Sequence, residues 1–516
     1  MFVCTFSLIL KTILCSLGYD QYSKDRYDSI SCYTCFHEEG GKVKEYDLIV
    51  VGTGSGMNYI GPMMDASQEM KVAVIDKDEP GGICLTRGCI PSKILLYPAE
   101  LVTGIQKAQH FGIDVQIKNI DFSKIMERMR RKISTDIRSI KENLIANPRI
   151  DYYKTTAEFI EPYSLKAGEE ILKAKMIFLC TGSRPSVPFL KGLNDAGYLT
   201  SDTVLQMSVL PKSLAIIGGG YIAAEYGHFF SAMGSKVTII GRNPHFLPQA
   251  EPEISVLAKR MMSERMEILT NHEVLEVRQI AEGKQLLLKH RETGEEKFIV
   301  ASDILVATGR ESNSDLLKPE IGGIDVDKMG WIKVDEHLES SQKNVWVIGD
   351  ATGKHLFKHV ANHESTIVYY NAVLGRKATV DFHAVPSAVF SEPEISSVGM
   401  SEKEASVQYG EDNISIGFYR FQDTGKGIAM DLEDEFVKVI LEKETDKILG
   451  AHIIGPHASI LIHQIIPIMY TPDQSAAPIM YSMDIHPSLS EVIKRALYSR
   501  MPINEYHMIL KALNLE

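Results

Sequence analysis

Two cysteines in a glycine-rich segment are the residues best suited to redox chemistry. Cys84 and Cys89 lie five positions apart between Gly81 and Lys93, and Pro91 follows them. In a regular α-helix, residues five apart point about 140° away from each other, so the glycines and Pro91 predict a sharp helix entry rather than one helix through both cysteines. A distorted helix start would allow the sulfurs to close a disulfide, and a helix N-terminus lowers the pKa of a thiol. We therefore predict a redox pair rather than two structural thiols, and no metal, because no further Cys or His lies nearby.

A histidine and a glutamate near the end of the chain form the second candidate for chemistry. His486 is followed by Pro487 and then, five residues after the histidine, by Glu491, just inside a helix expected to begin near Ser488. A carboxylate that accepts a hydrogen bond from one imidazole nitrogen orients the ring and stabilises its cation, so the other nitrogen can accept a proton. This spacing predicts that His486 acts as a general base with Glu491 as its orienting partner.

A nucleotide-binding turn precedes the cysteines and is expected to position them. Residues 45–51 read as a buried strand that runs into a glycine-rich turn, and a second strand ends at Asp76. The glycines of the turn are Gly52, Gly54 and Gly56. Such a unit holds a dinucleotide, because glycines let a pyrophosphate approach the helix N-terminus and the acid accepts hydrogen bonds from a ribose. Met57 replaces the third glycine and Pro62 follows, so we expect the helix to sit further out and to be kinked or shortened.

A second and more regular nucleotide-binding turn follows a strand over residues 213–217. Its G-x-G-x-x-A pattern is formed by Gly218, Gly220 and Ala223. The strand over residues 236–240 is followed by Gly241, where an acid would favour NAD, and then by Arg242, which could accommodate the 2′-phosphate of NADP. His245 is the only other basic residue close by, so the sequence leaves the choice between NAD and NADP open.

The segment from Gly81 to Lys93 resembles the redox-disulfide signature of the class I pyridine nucleotide–disulfide oxidoreductases. This family includes dihydrolipoamide dehydrogenase, glutathione reductase, mycothione reductase and mercuric reductase. Further segments match the family pattern in order, at residues 180–185, 307–310, 345–350, 390–399 and 486–491. The resemblance spans residues 44–505 and implies FAD on the first turn and NAD or NADP on the second.

The resemblance also implies roles for single residues. Cys84 stands at the family's interchange sulfur and Cys89 at its flavin-facing sulfur. Lys93 and Glu225 resemble the family's ion pair beside the flavin, and Tyr221 is expected to cover the nicotinamide pocket when that pocket is empty. The other FAD positions, beyond the first turn and Asp76, are Gly82, Thr181, Gly182 and Asp350. The positions implied for the nicotinamide nucleotide are Gly218, Gly220, Tyr221, Arg242 and Gly309.

The resemblance further implies a homodimer, because the family's His–Glu pair reaches the disulfide of the partner subunit. The expected fold class is α/β, with two Rossmann-like dinucleotide-binding domains and a C-terminal α+β dimerisation domain. The expected divisions are a poorly ordered extension over residues 1–44, an FAD-binding domain over 45–195, a NAD(P)-binding domain over 196–325, a return to the FAD-binding domain over 326–385 and the dimer-interface domain over 386–516.

Dihydrolipoamide dehydrogenase, which passes electrons from a dihydrolipoyl group to NAD+, is the first expectation for the activity. It rests on the amino-acid sequences of residues 90–93 and 486–491, and it requires the lipoyl domains of a separate acyltransferase as partners. An NADPH-dependent reductase of a low-molecular-weight disulfide, of the mycothione or glutathione reductase type, is the alternative, supported by Gly241 and Arg242. A non-catalytic flavoprotein scaffold is an alternative from another class, favoured by Met57 and Pro62 in the first nucleotide-binding segment.

Composition excludes several other classes of protein. The chain has 516 residues and a net charge of −12, so we expect no nucleic-acid partner. Four of its seven cysteines, including Cys32 and Cys35, precede the resemblance, and none follows Cys180. The last observation disfavours mercuric reductase and the large thioredoxin reductases, which need C-terminal thiols or selenols. A short apolar stretch near the start is interrupted by Lys11, so we expect a cytoplasmic protein without a membrane anchor.

Overall fold

The computed structural model describes residues 43–516. The extension expected over residues 1–44, with Cys32 and Cys35, therefore lies outside the described residues except for its last two positions. In chain order the strands are β1 (Lys44–Val51), β2 (Val72–Ile75), β3 (Ile150–Tyr153), β4 (Ala157–Glu161), β5 (Ser164–Ala167), β6 (Glu170–Leu179), β7 (Ser183–Pro185), β8 (Leu199–Thr200), β9 (Ser213–Ile217), β10 (Lys236–Ile240), β11 (Glu267–Leu269), β12 (His272–Ile280), β13 (Gly283–His290), β14 (Glu296–Ala301), β15 (Asp303–Val306), β16 (Arg310–Ser312), β17 (Val345–Val347), β18 (Ser387–Val389), β19 (Ile395–Gly399), β20 (Ile414–Arg420), β21 (Phe436–Glu442), β22 (Ile448–Ile454) and β23 (Arg500–Met501).

The α-helices vary widely in length. They span Ile60–Ala66, Gly82–Thr86, Cys89–Lys107, Phe122–Ala146, Leu193–Ala196, Tyr221–Met233, Pro252–Met262, Lys358–Ala372, Glu402–Tyr409, Gly425–Ala429, Ala458–Leu461, Ile466–Met469, Ala477–Tyr481, Glu491–Tyr498 and Ile503–Ala512. Within residues 43–516, none of them combines the length and the apolar character that crossing a bilayer requires.

The first sheet has seven strands and carries the first nucleotide-binding turn. Its order is β3-β2-β1-β6-β5-β4, and β17 pairs with the C-terminal end of β6. β1 and β2 pair in parallel, and their second halves are fully buried, as expected for strands covered on both faces. Because β17 comes from residues 345–347, the chain leaves this sheet after β6 and returns to it much later.

The second sheet carries the second nucleotide-binding turn. Its five strands are all parallel and lie in the order β11-β10-β9-β15-β8. Between β11 and β15 the chain forms a separate antiparallel meander of β12, β13 and β14. A two-stranded ribbon of β7 and β16 joins the segments that follow β6 and β15.

The C-terminal part of the chain forms a six-stranded antiparallel sheet. Its order is β18-β19-β22-β21-β20-β23, with the helix Glu491–Tyr498 packed on β20 and β21. These three larger sheets confirm the expected fold class of two Rossmann-like units plus an α+β domain. The domain boundaries at residues 195, 325 and 385 stay predictions.

A buried lysine joins the second nucleotide-binding unit to the C-terminal sheet. The Nζ of Lys438 on β21 lies 2.5 Å from Glu251, 2.6 Å from Glu253 and 2.7 Å from Glu402. Burial opposes the ammonium, but the carboxylates of Glu253 and Glu251 raise the pKa of Lys438 above its ordinary value. The hydroxyl of Tyr506 also donates to Glu253 at 2.6 Å. The carboxylates converge on this ammonium, which fixes the two units against each other.

Replacing Lys438 by Met should destabilise the protein, because three carboxylates would then face one another without a cation. Removal of one partner from a buried ion cluster costs about 3–5 kcal/mol. Thermal unfolding of the Lys438→Met variant should begin several degrees below that of the wild type. The control is Lys175→Met, which removes an exposed ion pair with Asp47 and should leave the midpoint unchanged. Equal midpoints for both variants would contradict the proposed role of Lys438.

Candidate active site

One cavity brings together most of the residues singled out in the sequence. Its walls come from the first nucleotide-binding turn, the cysteine segment, the end of β6, the helix Tyr221–Met233 and the start of the helix Lys358–Ala372. The predicted residues on its surface are Gly52, Gly54, Asp76, Gly82, Cys84, Cys89, Lys93, Thr181, Gly182, Tyr221, Glu225 and Asp350. His486 and Glu491 do not line the cavity of their own chain.

Close backbone contacts explain the glycines of the first turn. A Cβ at Gly52, where φ is +104°, would lie 2.2 Å from the carbonyl oxygen of Cys180 at the end of β6. A Cβ at Gly56 would lie 2.1 Å from the Sγ of Cys180, so Gly56 provides the tight packing expected of a third glycine. Residues Ser55–Tyr59 form a 3₁₀ turn, and the α-helix begins only at Ile60 and ends at Ala66. The helix is therefore short, as Pro62 led us to expect, whereas the tight packing at Gly56 does not fit the outward shift expected from Met57.

Asp76 is held at the point where the sequence predicts a ribose contact. Its carboxylate accepts hydrogen bonds from the backbone N–H of Thr53 at 2.8 Å and from the Thr53 hydroxyl at 2.5 Å. The N–H of Asp78 donates to the other carboxylate oxygen at 2.9 Å. These donors fix the orientation of the carboxylate at the end of β2, with accepting capacity remaining on its oxygens.

The cysteine segment is broken in two, as predicted. Cys84 lies in the helix Gly82–Thr86, and Cys89 begins the helix Cys89–Lys107. Gly88 makes the break possible, because a Cβ there would lie 2.9 Å from the carbonyl oxygen of Ile83 and 3.2 Å from the Cα of Cys84. Both cysteines are free thiols, with Cys84 partly buried and Cys89 exposed.

The two thiols have opposite electrostatic environments. A hydrogen bond from Cys84 lowers the pKa of Cys89 to about 6, desolvation of the sulfur by the surrounding protein opposes the shift, and the Lys93 charge adds to it. The same hydrogen bond and burial raise the pKa of Cys84 well above its ordinary value. The reduced pair therefore holds one proton, on Cys84, and one thiolate, on Cys89. The start of a long helix at Cys89 also favours a negative charge there.

Lys93 and Glu225 form the ion pair that the sequence anticipated. The Lys93 Nζ lies 2.8 Å from both carboxylate oxygens of Glu225, which is buried. The backbone N–H of Phe390 donates to the same carboxylate at 3.1 Å, and its ring lies 4.4 Å from the Lys93 ammonium. The pair lies one helical turn from Cys89, and the exposed Tyr221 lies one turn before Glu225 on the same wall of the cavity.

Two further groups make the cavity suited to FAD. The hydroxyl of Thr181 is buried without a hydrogen-bond partner among the described residues, and Thr181 lines the cavity. Asp350 accepts a hydrogen bond from the Ser183 hydroxyl at 2.5 Å, which aims the carboxylate from the end of the β17 segment. An unpartnered donor, a glycine cradle and two fixed carboxylates are the groups that a pyrophosphate, a ribose and a ribityl chain require.

The second turn repeats the geometry of the first. A Cβ at Gly218 would lie 2.2 Å from the carbonyl oxygen of Ala307, which corresponds to the contact between Gly52 and Cys180. The N–H of Gly218 donates to Ile240 at the end of β10, as the N–H of Gly52 donates to Ile75 at the end of β2. Gly241 therefore occupies the position of Asp76. Gly220 precedes the helix Tyr221–Met233, and Gly309 has a φ of +115°.

A basic residue that the sequence did not reveal lies beside Gly241. The guanidinium of Arg291 donates to the carbonyl oxygen of Arg242 at 3.0 Å, and its backbone N–H donates to Asn271. Both arginine side chains are exposed, and neither forms an ion pair within residues 43–516. Arg291 comes from the turn between β13 and β14, so no spacing pattern near Gly241 could have identified it.

His486 and Glu491 form the predicted pair on the C-terminal domain. The Nδ1 of His486 lies 3.0 and 3.2 Å from the two oxygens of Glu491, and the N–H of Ser488 donates to the same carboxylate at 3.0 Å. The imidazole hydrogen bond is the main reason that the pKa of Glu491 falls below its ordinary value. The helix begins at Glu491 rather than near Ser488, because the N–H of Ser488 donates to the Glu491 carboxylate and forms a turn before the helix. The His486 side chain is 72% exposed, so its Nε2 can meet another molecule.

The fold and the cavity together define a flavin- and nicotinamide-dependent oxidoreductase with a dithiol centre. The chain belongs to the pyridine nucleotide-disulphide oxidoreductase family, whose model matches residues 46–366, and the dimerisation domain of that family matches residues 385–497. Members of this family bind FAD and use a pyridine nucleotide, so membership favours an enzyme over a non-catalytic scaffold.

Among known proteins, the chain is similar to relatives with two different names. It is 35% identical to mycothione reductase of Mycobacterium tuberculosis, over 88% of this chain and 99% of that protein. It is 33% identical to dihydrolipoyl dehydrogenase of Chlamydia pneumoniae, over 87% and 95% of the two chains. The solved structure of the HOCl-induced flavoprotein disulfide reductase RclA from Escherichia coli, in a Cu(II) complex, matches with a TM-score of 0.78 and 25% identity, over 88% and 99% of the two chains.

The low pKa of Cys89 predicts how the reduced protein responds to pH. A thiolate beside oxidised flavin gives a long-wavelength absorption band, which should persist as the pH falls and disappear with a midpoint near pH 6. An ordinary thiol would lose its charge near pH 8.5. In the Cys84→Ala variant the midpoint should rise, because the hydrogen bond to the thiolate is lost. A midpoint at or above pH 8 in the intact protein would rule out this environment for Cys89.

Proposed function

We propose that the chain exchanges electrons between a thiol or disulfide substrate and a nicotinamide through Cys84 and Cys89. When the pair is oxidised, a substrate thiolate attacks the sulfur of Cys84. The Cys84–Cys89 bond breaks, and its electron pair stays on Cys89. The pKa difference supports this order, because the thiol of lower pKa is the better leaving group. A second substrate thiolate then attacks the substrate sulfur of the mixed disulfide and releases Cys84 as a thiolate.

In the direction of disulfide reduction the same steps run backwards. His486 of the partner subunit takes the proton of Cys84, the resulting Cys84 thiolate attacks a substrate disulfide, and one substrate thiolate leaves. Cys89 then attacks Cys84, reforms the protein disulfide and releases the second substrate thiolate. When bound, FAD carries two electrons between the thiol pair and the nicotinamide. Glu225 holds the Lys93 ammonium in this cavity, and the Lys93 charge favours the Cys89 thiolate against a smaller opposing effect of the Glu225 carboxylate.

We assign the proton transfers to His486 of the partner subunit. Its Nδ1 is held by Glu491, which fixes the ring and leaves Nε2 to take a proton from a substrate thiol or return it. The exposure of the ring and its absence from the cavity of its own chain support a site that needs a second subunit. The match to the family's dimerisation domain supports the homodimer that this arrangement requires.

We propose that the pyridine nucleotide is NADPH and that the substrate is a small disulfide. The observation that carries this proposal is that the Arg291 guanidinium donates to the backbone carbonyl of Arg242, next to Gly241, in the place where a carboxylate would favour NAD. Two exposed guanidinium groups suit a 2′-phosphate, which accepts charge-assisted hydrogen bonds. The similarity to a mycothione reductase supports the same substrate class.

Dihydrolipoyl dehydrogenase is the second candidate activity. It is favoured by the amino-acid sequences of residues 90–93 and 486–491 and by the similarity to the dihydrolipoyl dehydrogenase of Chlamydia pneumoniae. In this case the partner would be a lipoyl domain of a separate acyltransferase, and the nucleotide would be NAD+. An acid at the end of β10 would have strengthened this candidate, but Gly241 stands there.

Steady-state kinetics of the purified enzyme should separate the two candidates. We expect a higher kcat/KM for reduction of mycothiol disulfide or glutathione disulfide with NADPH than for oxidation of dihydrolipoamide with NAD+. The reason is that the second turn presents two arginines and no acid to the adenosine ribose. Oxidation of dihydrolipoamide with NAD+ that matches or exceeds the NADPH-dependent reactions would favour dihydrolipoyl dehydrogenase instead.

Removing either arginine should change nucleotide preference. In Arg242→Leu and Arg291→Leu, the KM for NADPH should rise by a factor of about ten or more, since a charge-assisted hydrogen bond contributes about 1.5–3 kcal/mol. The KM for NADH should stay the same, because NADH lacks the 2′-phosphate. Arg278→Leu is the matched control, as its exposed guanidinium pairs with Glu276 on β12. Equal changes for NADPH and NADH would show that the arginines do not recognise the phosphate.

A further inference from the structure

A lysine that belongs to no family motif discussed above reaches the first nucleotide-binding turn. Lys358 is the first residue of the helix Lys358–Ala372, and its side chain lines the same cavity as Cys84. Its ammonium donates to the hydroxyl of Ser55 at 2.8 Å, across 303 residues of chain. Ser55 follows Gly54 directly, so a positive charge from a distant helix lies against the turn that faces a pyrophosphate.

Lys358 differs from the other cations that line this cavity. The others have carboxylate neighbours within 4.0 Å: Lys77 and Arg87 with Asp78, Lys93 with Glu225, and Arg310 with Asp350. Lys358 has no such neighbour within residues 43–516 and is only partly exposed. Its charge acts on the Cys84 and Cys180 thiols, whose pKa values it lowers against the larger opposing effects of their surroundings. A cation that has no neighbouring carboxylate in a partly buried cavity favours the binding of an anionic ligand.

The first turn itself offers less positive potential than a regular dinucleotide site. Its glycine-rich segment continues into a 3₁₀ turn over Ser55–Tyr59, and the α-helix that follows has only seven residues. The second turn leads directly into a helix of 13 residues. Aligned N–H groups at the start of a long helix attract phosphate, and a short, irregular start attracts it less. The first site therefore needs charge from elsewhere in the chain.

We propose that Lys358 is the phosphate-binding cation of the FAD site and replaces the attraction that the irregular first helix lacks. Ser55 holds the ammonium beside the turn, so that it is in place for a phosphate oxygen. The inference rests on FAD binding by the family and not on the proposed nucleotide or disulfide. Its failure would therefore leave the assignments of substrate and of Arg242 and Arg291 untouched.

The affinity of the apoprotein for FAD tests this proposal without any measurement of activity. FAD would be removed from the wild type and from Lys358→Met, and FAD would then be titrated back at low and high NaCl with flavin fluorescence as the readout. We expect the Kd to rise about tenfold in Lys358→Met at low salt. The wild-type Kd should rise with salt, and the Kd of the variant should depend on salt less, because one screened ion pair is missing.

Two further variants make the outcome decisive. Lys358→Arg keeps the charge and should restore both the affinity and its salt dependence. Lys354→Met removes an exposed lysine from the loop that precedes this helix, outside the cavity lining, and should bind FAD like the wild type. A Kd for Lys358→Met within twofold of the wild type would overturn the proposal. So would an equal loss in Lys354→Met, a failure of Lys358→Arg to restore affinity, or a weaker affinity with unchanged salt dependence.

Discussion

The contact between two glycine backbones is the constraint on which this site depends. A Cβ at Gly82 would lie 2.6 Å from the Cα of Gly54, so Gly82 cannot carry a side chain where the two chain segments meet. Gly54 belongs to the nucleotide-binding turn, and Gly82 opens the short helix that bears Cys84. Their contact sets the thiol pair directly on the turn, and the break at Gly88 then lets the longer helix start at Cys89. Redox chemistry next to a bound dinucleotide follows from this close approach.

The two nucleotide-binding units have the same backbone arrangement at the turn but differ in the positions of their charged side chains. Both pack the first glycine of the turn against a carbonyl at the end of the neighbouring strand, at Cys180 and Ala307. The first unit ends β2 with an acid, Asp76, while the second ends β10 with Gly241 and gathers arginines nearby. In each unit, a basic residue from a distant part of the chain lies beside the turn region: Lys358 at the first and Arg291 at the second. This division explains how one architecture can be tuned to two different nucleotides.

The sequence predicts the parts of this molecule that depend on local pattern. The buried strands, the glycine turns, the interrupted helix at the cysteines and the hydrogen bond between His486 and Glu491 all involve neighbouring residues. The ion pair of Lys93 with Glu225 came from the family resemblance, since 132 residues separate them. Contacts between residues so far apart in the sequence could not be predicted where they belong to no motif. Lys358 reaches Ser55 across 303 residues and Lys438 reaches Glu253 across 185, and no periodicity or spacing encodes such meetings.

The most direct test of the proposed centre asks whether the thiol pair of one chain works with the imidazole of the other. Cys89→Ser and His486→Gln chains with different affinity tags would be expressed together, and the hybrid dimer would be isolated by both tags. One of its two sites then combines intact cysteines with an intact His486 of the partner subunit. We predict about half of the wild-type rate for the hybrid, whereas both parent homodimers stay inactive. A hybrid as inactive as its parents would contradict the shared site.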